Sequence, residues 1–212
     1  MEPRSIPLIH ITDLYHPPQD PDDQLDLATV LALPEFDLRG VVLDVTQRFI
    51  DPAPNGWDLA RDPGYVVVTQ AAALAGRAIP VARGPRMPLA HSADDARGAP
   101  LTEQAGIELV LSVLAAAPKP VTVSMVGSAR VLVAAYNRAP ELVQERVGAV
   151  LLNAGSTVGG EKEWNVGLDA EAFKGLWRSG LPVCWYPCAT QNGAFDPLPE
   201  RGTHWKATHA AL

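Results

Sequence analysis

The order of apolar segments predicts an α/β fold, with a doubly wound, mostly parallel sheet carrying helices on both faces. Three observations support that expectation. Strand-like and helix-like stretches alternate along the 212 residues, the pattern of parallel strands joined by helical crossovers. The strand-like stretches are nearly continuous apolar runs, such as VTVSMV at 121–126, as strands buried on both faces should be. Polar and glycine-containing stretches follow those runs, where open α/β sheets carry their sites.

Each element has its own signal. SIPLIHIT at 5–12 reads as the first strand. A polar, proline-rich loop follows, and DDQLDLATVLAL at 22–33 spaces Leu25, Ala28, Leu31 and Leu33 close to helical periodicity. Asp22 and Asp23 fall at its start, where carboxylates accept free backbone N–H groups. LRGVVLDV at 38–45 is a second strand, and 63–76 a helix ending near Gly76. IPVAR is a third strand, 84–102 a long loop, and 103–116 a helix that ends before PKP. VTVSMV, a helix over SARVLVAAYNRAP, a strand VGAVLLN, a helix DAEAFKGLWRSG and a strand LPVCWY complete the chain to Tyr186. No internal repeat is present, and one domain spanning 1–212 is expected.

Composition narrows the function. A formal net charge of −7 argues against nucleic acid, which is bound through basic surface, and against anionic lipid. No apolar run approaches the roughly 18 residues of a membrane span. The N-terminal segment is broken by Pro7 and His10 and makes a poor signal peptide, so a cytoplasmic location is expected. Cys184 and Cys188 lie roughly 13 Å apart if extended at about 3.3 Å per residue, too far for a disulfide. Two buried thiols are expected, with a metal site shared with His204 and His209 the rival reading.

The chemistry concentrates in acidic residues. Residues 5–38 hold no Lys or Arg, yet include Asp13, Asp20, Asp22, Asp23 and Asp26. Carboxylates so crowded raise one another's pKa values unless a cation sits among them, and hard oxygen ligands suit Ca²⁺ or Mg²⁺. A solvated acidic loop with Asp22 capping the helix is the competing reading. No dinucleotide, P-loop, zinc-protease or nucleophile-elbow motif is present.

The string ITDLYHPPQDPDDQLDLATVLAL resembles the opening of the inosine–uridine nucleoside hydrolases. Further stretches resemble that family in order: IPVARGPRMPL, VTVSMVGSARVLVAAYNRAPEL, LLNAGS, EWNVGLDAEAF and SGLPVCWYPC. The resemblance implies a hydrolase that cleaves the N-glycosidic bond of ribonucleosides with a Ca²⁺-bound water. Its substrate would be a small nucleoside or ribosyl compound, and a homo-oligomer is compatible with it. Cleavage through an oxocarbenium-like state calls for nearby carboxylates, and a metal lowers the pKa of its water while a carboxylate takes the proton.

By that resemblance Asp13 is a metal ligand and the base, and Asp23 a second ligand. Asp22 binds a ribose hydroxyl and orients the water, and the backbone carbonyl of Arg130 completes the protein's metal ligands. Glu163 and Asn165, facing one way on an extended segment, hydrogen-bond the sugar, with Asn153 and Gln47 beside them. Trp164 packs against the sugar or in the core. Three departures stand out: Ile11-Thr12-Asp13 replaces the family's D-x-D, GSARV replaces G-P-L-T-N, and the family's later His-Asp pair has no counterpart, since Trp205 follows His204 and Ala210 follows His209. The chain thus reads as lacking the family's C-terminal portion. The alternative is a weak or inactive homologue that binds metal or sugar.

Overall fold

In the computed structural model, the described residues are 5–16, 21–47, 62–157 and 163–187. The chain begins with strand β1 (Ile6–Thr12), buried from Pro7 onward. Alternation sends Leu8 to one face and Ile9 and Ile11 to the other. Helix α1 (Asp22–Ala32) follows, then β2 (Phe36–Leu43), α2 (Pro63–Leu74), β3 (Val81–Arg83), α3 (Leu101–Ala116) and β4 (Val121–Met125). After β4 come α4 (Arg130–Arg138), α5 (Pro140–Arg146), β5 (Val147–Leu152), α6 (Trp164–Leu168), α7 (Ala170–Arg178) and β6 (Val183–Trp185).

All six strands pair in parallel in the order β3-β2-β1-β4-β5-β6. The expected doubly wound fold is the one observed. Leu8, Leu38 and Val41 pack with Leu27 and Leu31 of α1 and Val68 of α2 on one face. Ile9, Ile11 and Val123 pack with Ile107 and Leu114 of α3, Val131 of α4, Val143 of α5 and Phe173 of α7 on the other. Helix α2 stops where Gly76 turns back at φ +66.

Three expectations are corrected. The segment expected as one helix over 128–140 is two, because Ala139 leaves helical geometry at φ −146 and Pro140 opens a new helix. A proline is tolerated in a first turn but not in a helix interior. The segment at Glu163–Asn165 is not extended: Asn165 lies in α6, with Glu163 as its N-cap. Cys184 is exposed rather than buried, because β6 forms an edge of the described sheet. Cys188, His204, Trp205 and His209 lie outside the described residues. Among the described residues no helix is long and apolar enough to cross a membrane.

Candidate active site

The strand order reverses between β1 and β4, which both start crossovers away from each other. In open sheets ligands bind in the crevice outside the carboxyl ends at such a switch point. The ladder continues one step past the strands there: Asp44 N–H donates to the Thr12 carbonyl, Val126 N–H to Ile11 and Asn153 N–H to Met125. Asp13, Asp44, the Gly127 turn and Asn153 therefore fan across one edge of the sheet.

Asp13 and Asp23 meet above β1. Both are buried, close enough for each carboxyl group to perturb the other. Burial is the main cause that pushes both pKa values up, Asp13 to about 10 and Asp23 to about 7, and the repulsion of Asp23 adds to the rise at Asp13. Thr12 holds Asp23 from the strand end, its Oγ1 donating to Oδ1 at 2.8 Å. Asp22 is exposed at the mouth of the pair. It accepts a hydrogen bond from the Asp23 N–H rather than capping α1, whose N-cap Pro21 offers no side-chain bond.

Asp44, in a strand-end stretch to which the sequence reading assigned no role, closes the next strand end. Its Oδ2 accepts from Ser128 N–H at 2.5 Å and its Oδ1 from Ser128 Oγ at 2.9 Å. Burial pushes its pKa up, partly offset by Arg130 and Ser128. The turn it grips has no room for a side chain: a Cβ on Gly127 would stand 2.7 Å from Asp44 Oδ2 and 3.2 Å from Asp13 Cβ. The signal in the sequence was a carboxylate ending an apolar strand, VVLDV, which a buried partner must satisfy.

That partner is Arg130. Its side chain is 1% exposed. Nε donates to Asp169 Oδ2 at 3.0 Å, Nη1 to the carbonyls of Val45 and Pro85 at 3.1 and 2.6 Å, and Nη2 to Leu168 at 3.4 Å. Asp44 Oδ1 stands 4.0 Å from Nη1. Asp169 in turn accepts from the N–H groups of Leu89 and Ala172. Arg130 heads α4, so its carbonyl belongs to the first turn of the helical ladder.

On the β5 side, Asn153, Glu163 and Asn165 come together. Asn165 Nδ2 donates to the Asn153 carbonyl at 3.1 Å. Glu163 accepts from the N–H groups of Gly155, Asn165 and Val166. Trp164 is 41% exposed. Gln47 is half-buried beyond β2, its N–H donating to the Arg86 carbonyl. A further buried pair lies below it: His16 Nε2 and Asp62 Oδ2 are 2.7 Å apart, and Nδ1 accepts from the Thr46 N–H. Among the described residues no cluster of three or more His, Cys, Asp or Glu side chains is arranged to hold a metal ion.

No protein-family model and no curated protein matches the sequence, but solved structures match the fold. The inosine–uridine preferring nucleoside hydrolase of Bacillus anthracis superposes over 84% of this chain with a TM-score of 0.61 at 13% identity. The purine-preferring ribonucleoside hydrolase of Gardnerella vaginalis gives 0.56 at 18% identity over the same share. The type III effector protein XopQ, solved with adenosine diphosphate ribose, gives 0.58 at 20%. The chain has the nucleoside-hydrolase fold. It spans 63%, 59% and 55% of the lengths of those three structures. Within the nucleoside-hydrolase fold, Asp13, Asp22 and Asp23 gather at the switch point and Asn153, Glu163 and Asn165 gather two strands away. Gln47 hydrogen-bonds to the loop after β3.

Proposed function

We propose that this chain binds the ribosyl group of a nucleoside or related compound at the carboxyl edge of its sheet and hydrolyses the N-ribosyl bond. The observation that carries the reading is the buried Asp13–Asp23 pair, two carboxyl groups whose pKa values burial raises. Two desolvated carboxyl groups in contact are unfavourable unless a cation or a proton neutralises them. Their hard oxygens fit a divalent cation, Ca²⁺ by the family resemblance. Asp13 and Asp23 would hold it, with the Arg130 carbonyl as a further ligand, since a carbonyl on a helical ladder keeps a second lone pair. Asp44 stays out of that ligand set, because Ser128 binds both of its oxygens and the Arg130 guanidinium stands 4.0 Å away.

A bound divalent cation would supply Lewis acidity toward ribose hydroxyls and water. The chain's own groups do the rest. Asp13, whose burial favours holding a proton, accepts it from the attacking water. Asp22, exposed beside the pair, takes a ribose hydroxyl. Asn165, Asn153, Glu163 and Gln47 form the sugar's other wall. The clustered carboxylates stabilise the positive charge that develops on the ribosyl ring. A cytoplasmic location is part of the same reading. A second reading, a homologue that binds cation and sugar with little turnover, is favoured by the absence of a third acidic or histidine ligand among the described residues.

The test is release of ribose from inosine and uridine in Ca²⁺ and in chelator. Ca²⁺-dependent release that Asp13→Asn abolishes supports hydrolysis. Ca²⁺-dependent ribose binding without release leaves the second reading, and release unaffected by chelator and by Asp13→Asn contradicts both.

A further inference from the structure

The proposed site has two halves on different elements. Asp13 and Asp23 stand above β1 and α1, whereas Asn153, Glu163 and Asn165 stand above β5 and on α6. Strand β4 lies between them, so at about 4.8 Å per strand the halves are roughly 10 Å apart. A ribosyl group can touch both only if that spacing is held. Helix α6 has five residues, too short to hold itself in place.

Arg130 bridges that gap. It heads the helix after β4, and its guanidinium reaches the carbonyls of Val45 beyond β2, Pro85 beyond β3 and Leu168 at the end of α6. It also binds Asp169, the residue that joins α6 to α7 and caps α7. On its other side the Arg130 N–H is 3.3 Å from Ser128 Oγ, and Ser128 is bound to Asp44 beside Asp13. One planar group with five N–H donors thus ties three loop ends together. Lysine, with one donor nitrogen, cannot.

We propose that Arg130, anchored through Asp169, is the positioning residue that sets the distance between the carboxyl pair and the sugar-facing group. This inference rests on the reading above for what binds there, but not for the geometry it fixes. A bond between Arg130 and the 168–169 junction holds Glu163 and Asn165 in place, while Asp13 and Asp23 depend on β1, Thr12 and α1. Loosening that bond should therefore weaken the sugar side and spare the cation side.

The experiment uses Asp169→Asn, which keeps an acceptor but removes the charge, and Arg130→Lys, each in the full chain. Calorimetry measures Ca²⁺ affinity, then ribose affinity at saturating Ca²⁺. Amide hydrogen exchange compares residues 153–157 and 163–168 with residues 6–12 and 22–32. The expected result for Asp169→Asn is Ca²⁺ affinity within about twofold of the parent, ribose affinity at least tenfold lower, and faster exchange confined to 153–157 and 163–168. Arg130→Lys, at a residue whose carbonyl belongs to the proposed cation ligands, should lower ribose affinity and speed exchange in 153–157 and 163–168 more strongly. If it fails to fold, Asp169→Asn still decides. Unchanged exchange in those segments, or equal acceleration everywhere, overturns the positioning role. A parent protein that binds no ribose overturns the functional reading instead, and exchange alone then decides the inference.

Discussion

Replacing Asp23 by asparagine should make the cation-free protein more stable, although it removes a buried carboxyl group. Moving Asp23 from its ordinary 3.8 to about 7 corresponds to about 4 kcal/mol at 1.36 kcal/mol per pH unit. The folded state holds the proton more tightly than the unfolded chain. Below about pH 4 both states are protonated and nothing is lost. As pH rises toward 7 the unfolded chain ionises first, so stability falls, and above 7 the loss is complete. The amide of the variant cannot ionise, and its oxygen still accepts from Thr12 Oγ1. In chelator at pH 8 the variant should gain up to about 4 kcal/mol, or roughly 8–16 °C in Tm for a chain of this size. At pH 4 the two melts should converge. On the proposed reading excess Ca²⁺ should reverse the order, because only the parent keeps both proposed ligands and binding to the folded state stabilises it. Thermal melts followed by circular dichroism at pH 4 and 8, with chelator or Ca²⁺, measure all of this. Equal Tm values in chelator at pH 8, or a gap that does not change with pH, would refute the reasoning.

Other consequences follow from single residues. His10 is fully buried and held neutral, its pKa lowered to about 4 by desolvation. The unfolded chain therefore takes up a proton below about 6.5 that the folded state refuses, and His10→Leu should gain about 2 kcal/mol relative to the parent between pH 7 and 5 in urea titrations. Gly127→Ala should destabilise by about 1–3 kcal/mol through overpacking and lower Ca²⁺ affinity, because its Cβ would press on Asp44 and Asp13; denaturation and calorimetry check the two effects. Glu163→Ala removes the acceptor of three N–H groups and should cost about 1–2 kcal/mol as a lost helix cap, with Glu163→Gln intermediate by the same denaturation assay.

Apolar composition made the strands legible, since each is a short run bounded by turn residues, and β1 at the centre is buried on both faces. Asp13, Asp22 and Asp23 were legible as a group because no basic residue lies near them in sequence. The break at Pro140 could have been read from the proline itself. Helix α6 could not be read from apolar spacing: five residues carry no period, and its hold comes from Glu163 and from Arg130. The Asp44–Arg130–Asp169 network was hidden for a different reason. Its long-range hydrogen bonds join residues 38 to 85 positions apart, so the charges could not be paired until the sheet brought them together. The exposure of Cys184 likewise depends on strand order, which local sequence does not encode.

The central claim is that the Asp13–Asp23 pair gives up a proton to take a divalent cation that then admits ribose. Calorimetric titration of Ca²⁺ at pH 7, in two buffers of different ionisation enthalpy and followed by ribose, tests it most directly. The account predicts saturable Ca²⁺ binding with proton release, absent in Asp23→Asn, and ribose binding only after Ca²⁺. Ribose binding in chelator, or Ca²⁺ binding that releases no proton and survives Asp23→Asn, would contradict it.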